Sequence, residues 1–270
     1  MSRLVGTVAA LRRYPIKSML GEQLGELPVT AGGADGDRTL ALLDVETGRV
    51  ATAKQPRLWR ALLRFSASRD GDTVWITLPD GRSVEAGDAD IDAVLSEVLG
   101  RAVRLSGTRP AGAVVERSAP EDVLEQGVDA DVSFATLEIA QGTPGATFVD
   151  HSPLHLITTA TLARIGAEAL RYRPNVVVDT PSGVPFGENA WLGREFAVGE
   201  VRLRATLPTP RCAVPTLEHG DLPRAPHAVR VPMADNRVEV EGFGVLPCAG
   251  LYAEVLTAGR IREGDEVTLH

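Results

Sequence analysis

The sequence predicts a mainly β protein with a few helices, an α+β fold in which strands predominate. Most segments alternate apolar and polar residues with a period of two, which is typical of strands that bury one face. Glycine, proline and aspartate separate these segments, as tight turns between strands require. The chain has 270 residues, of which 44% are hydrophobic, so it can bury one or two sizeable cores.

Local patterns predict the strands and two helices. The segment 90–99 opens with acidic residues and closes before Gly100, and the segment 160–170 follows Thr158 or Thr159 as its N-cap, so both are predicted helices. The predicted strands are, in chain order, Leu4–Tyr14, Thr39–Asp44, Thr73–Leu78, Asn175–Asp179, Val201–Leu207 and Glu266–Leu269.

A polar segment of weak pattern at residues 107–130 divides the chain. It predicts a boundary between a first domain at 1–115 and a second domain at 116–270.

Charge and cysteine content exclude several classes of protein. A net charge of −8 argues against nucleic acid or an anionic membrane as a partner, so any anionic ligand must be bound by a local pocket. Two cysteines, Cys212 and Cys248, are too few for a secreted disulfide scaffold, and the chain start lacks the apolar core of a signal peptide. We therefore expect a cytoplasmic protein without a membrane span.

Cations at predicted strand ends point to an anion site. Lys17 and Ser18 follow the first strand in the stretch YPIKSMLGE, and a lysine beside a hydroxyl in a turn is suited to phosphate. Arg38 lies at the start of an apolar strand, where a charge needs a partner. Lys54 and Arg57 in TAKQPRLW add two cations that can equally be exposed.

A second group of candidates lies in the stretch 148–179. The start of the predicted helix near Thr158 offers free N–H groups and a positive dipole end. Arg171, Arg173 and Asn175 stand before the next strand in RYRPNVVVD. Guanidinium groups bind phosphate and an amide can pair with a heterocycle, so the set suits a phosphorylated, ring-bearing cofactor. The alternative is that the arginines pair with acidic residues on the surface.

These stretches carry a family resemblance. YPIKS, GDR and KQPRL in the first half, with FVDHSPLHLIT, RYRPNVVV, RC and GLYAEVLTAGRIREGDEV in the second, resemble a MOSC-domain protein. MOSC is the molybdenum cofactor sulfurase C-terminal domain, preceded here by what resembles the MOSC N-terminal β-barrel domain. The resemblance implies two β-barrel-like domains and a molybdenum–pterin cofactor. It also implies contacts to the pterin or its phosphate by Lys17, Ser18, Arg38, Thr158, Arg173 and Asn175.

The expected metal ligand departs from the family pattern. In the amidoxime-reducing members of the family, the resemblance places a ligand cysteine near Asp235, where this chain has no thiol. Cys248 or Cys212 can supply the sulfur from another loop, Asp235 can bind through oxygen, or the chain can retain the pterin and lack redox chemistry. A thiolate is the preferred ligand for a dithiolene-bound molybdenum, which favours the cysteines.

The resemblance implies an oxidoreductase that removes oxygen from N-oxygenated small molecules. Asp150, His151 or His155 is the candidate proton donor, although His155 lies in an apolar stretch that suits a core residue. Electrons would come from a separate donor protein. The alternatives are a carrier of the molybdenum cofactor and a carrier of persulfide sulfur on Cys212 or Cys248. A pyridoxal phosphate Schiff base is disfavoured, since nothing places a lysine in the apolar pocket that it needs.

Overall fold

The computed structural model describes residues 2–181 and 183–270, and it confirms a mainly β fold with few helices. Five α-helices occur in this part of the chain: α1 (Pro56–Trp59), α2 (Ile91–Leu99), α3 (Pro120–Gln126), α4 (Thr159–Ile165) and α5 (His227–Asp235). The strands are β1 (Arg3–Arg13), β2 (Glu22–Leu24), β3 (Glu26–Thr30), β4 (Gly33–Ala34), β5 (Ala41–Asp44), β6 (Ser66–Asp70), β7 (Thr73–Thr77), β8 (Ser83–Glu85), β9 (Val103–Ser106), β10 (Val114–Ser118), β11 (Phe134–Glu138), β12 (Leu154–Thr158), β13 (Val176–Asp179), β14 (Glu195–Val198), β15 (Val201–Pro210), β16 (Arg237–Val240), β17 (Gly244–Thr257), β18 (Gly259–Arg262) and β19 (Glu266–Leu269).

A closed barrel of seven strands forms the larger part of the fold. Its strands follow the order β12, β13, β1, β19, β14, β15 and β17, and β17 pairs back to β12. Apolar side chains of these strands fill its interior, among them Leu11, Leu156, Val178 and Phe196. Because the first and last strands pair with each other, the barrel has no free edge.

The pair β12 and β13 is parallel, whereas the other barrel pairs are antiparallel. A parallel pair needs a crossover connection, and here α4 and a short 3-10 helix at Ala169–Tyr172 supply it. The predicted helix at 160–170 is therefore shorter than expected. Gly166 adopts the left-handed conformation, with φ of 72°, and ends α4. The crossover returns the chain to Arg173 directly before β13.

The first strand of the chain belongs to the barrel. β1 pairs with β13 through Val8 and Val178 and with β19 through Thr7 and Glu266. Strands from both sides of the predicted boundary at residue 115 thus share one sheet, while the division into two domains stays a prediction.

Residues of the segment 16–105 outside β2–β4 form a second apolar core beside the barrel, called here the 16–105 unit. Short sheets, β5 with β9 and β6 with β7 and β8, enclose Ile16, Leu42, Phe65 and Leu95 together with one face of α2. The hairpin of β10 and β11 packs on this unit through Val115. No helix in the described ranges is both long and apolar enough to cross a bilayer.

Candidate functional site

A cavity lies where the barrel, the 16–105 unit and the β10–β11 hairpin meet. It has about 1100 Å³ of empty space with its open mouth included. Its lining has six lysine or arginine residues against two acidic ones, although the chain as a whole carries a net charge of −8. This excess of positive charge makes the cavity a candidate site for an anionic ligand. The charged lining residues are Lys17, Lys54, Arg117, Arg171, Arg173, Arg211, Glu138 and Asp150.

Three residues at this site have left-handed backbone conformations. The φ angles are 66° at Ser18, 48° at Arg38 and 56° at Arg173, and only two other non-glycine residues of the described chain have positive φ. Hydrogen bonds hold these conformations: Ser18 Oγ accepts from the backbone N–H of Ala53 at 3.2 Å, and Arg38 Nη2 donates to the carbonyl of Arg173 at 3.1 Å. Strained backbone of this kind is concentrated at binding sites, where the surroundings enforce it.

Lys17 and Lys54 both contact Asp150. Lys17 Nζ lies 2.6 Å from Asp150 Oδ1 and donates to the carbonyl of Phe148 at 2.8 Å, while Lys54 Nζ lies 2.9 Å from the same Oδ1. Burial lowers the pKa of Lys17 to about 8, against the attraction of Asp150. Burial alone would raise the pKa of Asp150, but the two ammonium groups hold that pKa well below its usual value. Asp150 is therefore an anchoring carboxylate, which makes it a poor proton donor at neutral pH.

Arg173 is a half-buried cation without a carboxylate partner in the described chain. Its Nη1 donates to the carbonyl of Met19 at 2.5 Å, and its guanidinium stacks 4.4 Å from the ring centroid of Tyr14. Its Nη2 is buried and has no hydrogen-bond partner. Burial, followed by the like charge of Arg38, lowers the pKa of Arg173 to about 10. A buried donor that lacks a partner is costly, so this group is a candidate contact for an anionic ligand in the cavity.

Arg171 provides the contrast. Its Nε lies 2.6 Å from Glu168, and its two Nη atoms donate to the carbonyls of Leu217 and Pro223 at 2.9 and 2.8 Å. The alternative reading of an arginine paired with a carboxylate thus describes Arg171, which is buried rather than exposed. Arg171 links its own segment to the segment that contains Leu217 and Pro223, whereas Arg173 remains available to a ligand.

Arg38 lies behind Arg173 as seen from the cavity. Its guanidinium pairs with Asp37 and stacks on the Tyr14 ring at 4.9 Å from the centroid. It does not itself line the cavity. Because it donates to the carbonyl of Arg173, its contact with the site is through that residue.

The structure separates the three candidate metal ligands. Cys212 lines the cavity directly after β15. Cys248 is fully buried inside the barrel wall, its Sγ lies 3.4 Å from the carbonyl of Leu246, and burial raises its pKa to about 11. Asp235 ends α5 and pairs with Arg164 at 2.5 Å, outside the cavity. Of the three, only Cys212 shares the cavity with Lys17 and Arg173.

Arg211 and His155 lie beside Cys212. Arg211 is buried, and its Nη2 donates to His155 Nε2 at 2.6 Å while its Nε donates to the carbonyl of Ala249 at 2.9 Å. Burial, with the charge of Arg211, holds the pKa of His155 well below its usual value. His155 is therefore neutral and supports Arg211. His151 is half-buried and also lines the cavity.

Thr158 and Asn175 do not line the cavity. Thr158 caps α4, but the anion at this helix start is the protein's own Glu188, which accepts from Thr158 Oγ1 at 2.9 Å and Thr161 Oγ1 at 2.7 Å. Asn175 is buried between strands, where its Oδ1 accepts from the backbone N–H of His155 at 3.2 Å. Both residues support the barrel around the site.

Several lining residues carried no clear signal in the sequence. Arg117 Nη2 donates to the carbonyl of Arg211 at 3.2 Å, and the buried Oγ1 of Thr209 has no partner in the described chain. Each lies on a strand, β10 or β15, whose alternation identifies a face without indicating what that face meets. Arg211 stands next to the noted Cys212, and that adjacency was the one available signal.

Fold and site together define a class of protein: a β-barrel protein with a cationic cavity that contains one thiol. Residues 5–114 match the MOSC N-terminal beta barrel domain, and residues 144–268 match the MOSC domain. The chain belongs to the MOSC-domain family.

Relatives match along almost the whole chain. Mitochondrial amidoxime-reducing component 1 of Homo sapiens is 25% identical over an alignment 305 residues long, gaps included, which covers 98% of this chain and 83% of the relative. Mitochondrial amidoxime reducing component 2 of Homo sapiens is 24% identical over an alignment 283 residues long, gaps included, which covers 97% of this chain and 83% of the relative. Among solved structures, the YUAD protein from Bacillus subtilis aligns with 12% identity and a TM-score of 0.46, covering 100% of this chain and 96% of its own.

Proposed function

We propose that this chain binds a molybdenum–pterin cofactor in the cationic cavity and reduces N-oxygenated small molecules. The observation that carries the proposal is Arg173, a half-buried arginine on the cavity wall whose buried Nη2 has no partner in the described residues. A phosphorylated ring satisfies both the charge and the donor. The names of the amidoxime-reducing relatives and the MOSC family support the same ligand.

The residues present fit this cofactor. Lys17, Ser18 and Arg173 would hold its anionic part, with Arg38 fixing Arg173 from behind. Cys212 would supply one thiolate to the metal. No cluster of three or more His, Cys, Asp or Glu suited to a metal occurs in residues 2–181 and 183–270.

When bound, the cofactor supplies the two-electron chemistry that removes an oxygen atom from a substrate. The chain contributes binding and orientation. Of the predicted proton donors, Asp150 is held as a carboxylate, His155 is committed to Arg211, and burial lowers the pKa of His151, so none of the three carries an acidic proton at neutral pH. Two cysteines are too few for an iron–sulfur cluster, so we propose a separate protein as the electron donor.

The test is a metal and pterin assay on protein from a molybdenum-replete host. We expect both components in the wild type, loss of both in Arg173→Gln, and loss of activity towards an amidoxime in Cys212→Ser. Cys248→Ser is the matched control, since its thiol lies outside the cavity, and it should behave as the wild type.

The same assay separates the alternatives. Cofactor without turnover, given a chemical reductant, would indicate a cofactor carrier. A persulfide that disappears in Cys212→Ser would indicate sulfur transfer. Wild-type protein that contains neither molybdenum nor pterin would refute the proposal.

A further inference from the structure

The cavity has a second wall that is chemically unlike the cationic one. Two hairpins build it. β10 and β11 contribute Val115 and Leu137, which lie opposite each other in the strand register, and the hairpin of β16 and β17 contributes Val240 and Phe243. Arg117 and Glu138 on the first hairpin also line the cavity, but the second hairpin contributes only the uncharged side chains of Val240, Phe243 and Tyr252. An apolar wall in a cavity otherwise rich in cations suits a ligand that has an uncharged part.

Phe243 occupies the turn of the second hairpin. Its N–H donates to the carbonyl of Val240 at 2.8 Å, which closes the turn. Gly242 and Gly244 on either side have φ angles of 77° and 79°, a conformation that residues with a side chain rarely adopt. These two glycines therefore permit the tight turn that positions the side chain of Phe243. The residue is 38% exposed, which leaves ring surface free for contact.

The ring of Phe243 is the outermost member of a row of three rings. It lies edge-on to His151, with centroids 6.2 Å apart, and His151 stacks on Tyr252 at 5.9 Å. Burial lowers the pKa of His151 and raises the pKa of Tyr252, so both rings are uncharged at neutral pH. A row of neutral aromatic faces binds aryl groups by stacking and edge contacts.

We propose that Phe243, His151 and Tyr252 form a subsite for an aryl group on the substrate, so that aryl-substituted N-hydroxylated compounds are preferred over short alkyl-substituted ones. This inference rests on the proposed function and specifies its substrate class. The cationic wall around Lys17 and Arg173 takes the anionic part of the cofactor, and the aromatic row is left for the substrate. Phe243 is a specificity residue with no part in binding the metal.

The test compares benzamidoxime with acetamidoxime on the molybdenum-loaded protein. In Phe243→Ala, kcat/KM for benzamidoxime should fall about tenfold, mainly through KM, because a ring contact is worth about 1.4 kcal/mol or slightly more. The value for acetamidoxime should change less than about twofold, the size of a minor surface effect. Val245→Ala is the control: this residue lies on the same hairpin, is 54% exposed and does not line the cavity.

A second measurement needs neither metal nor turnover. Benzamide and acetamide are uncharged analogues that cannot lose oxygen to the enzyme, and saturation-transfer NMR reports which of them contacts the protein. We expect a signal from the benzamide ring in the wild type and in Val245→Ala, and its loss in Phe243→Ala. If the wild type reduces neither amidoxime but shows this benzamide pattern, the proposed function fails and the subsite stands. Equal loss for both amidoximes, or no benzamide signal in the wild type, would overturn the inference.

Discussion

Replacing Arg173 with methionine should stabilise the cofactor-free protein, whereas the same change at Arg171 should destabilise it. The two arginines are separated by one residue and both are largely buried, but they differ in their partners. Arg171 has a carboxylate and two carbonyls, while Arg173 has the carbonyl of Met19 and an Nη2 without a partner in the described chain. The signs of the two effects follow from this difference.

The magnitudes can be worked out from the contacts. Lowering of the Arg173 pKa from 12.5 to about 10 means that the fold disfavours the charged group by about 3 kcal/mol. Methionine removes that cost but also loses a hydrogen bond and a cation–π contact, worth about 1 kcal/mol each. The free energy of unfolding should therefore rise by about 1 kcal/mol. Arg171→Met leaves the carbonyls of Leu217 and Pro223 without their donor, while Glu168 is half exposed and can be solvated. The free energy of unfolding should therefore fall by about 3 kcal/mol, mainly through the two carbonyls.

The assay is urea unfolding of protein made without molybdenum, with and without inorganic pyrophosphate. Pyrophosphate at about 100 times its Kd should stabilise the wild type by about 2.7 kcal/mol, and this gain should be largely lost in Arg173→Met. If Arg173→Met were destabilised as much as Arg171→Met, and pyrophosphate stabilised it as much as the wild type, Arg173 would be a structural residue and the reasoning would be refuted.

Three further outcomes are expected. Iodoacetamide at pH 8 should label Cys212 in the folded cofactor-free protein and spare Cys248, which is inaccessible and has a pKa raised to about 11 by burial; equal labelling by mass spectrometry would contradict the assignment. Glu188→Ala should lower the free energy of unfolding by about 3 kcal/mol because buried hydroxyl donors at the start of α4 lose their acceptor, and a thermal shift of under one degree would count against this role. Lys17 has a pKa of about 8 in the folded protein, below its usual 10.5, so it should lose its proton as the pH rises through 8. Stabilisation by pyrophosphate should then weaken between pH 7 and 9, while the contribution of Lys17 to folding stability should increase above pH 8, because the unfolded chain still binds the proton there. Lys17→Met should remove both trends in thermal melts.

Lys17, Ser18 and Arg173, which line the cavity, could be singled out from the sequence because their signals are local. Lys17 and Ser18 stand at a strand end, and Arg173 stands before the buried strand β13, so a single stretch of sequence indicates a side chain at the barrel rim. The strand pattern was equally local, and β1, β13 and β19 lie where the alternation predicted them.

The remaining features depend on which distant residues meet. The start of α4 was a reasonable anion site from sequence, but Glu188 supplies the anion from a segment that follows β13. The two cysteines were equivalent in the sequence, because only the register that pairs Pro210 with Cys248 shows that one thiol is enclosed by the barrel wall. Pairing between β15 and β17 is a long-range property that no local pattern specifies.

The position of β1 has a consequence for how the polypeptide acquires its shape on the ribosome. This strand is synthesised first. β2 follows it closely and pairs with its last residues, but the two neighbours of β1 in the barrel, β13 and β19, are synthesised much later. Until β19 is available, the apolar face of β1 and the edge that pairs with β19 stay uncovered. This exposure favours association between nascent chains. A pause in synthesis at any point before β19 emerges prolongs this state and should therefore increase aggregation.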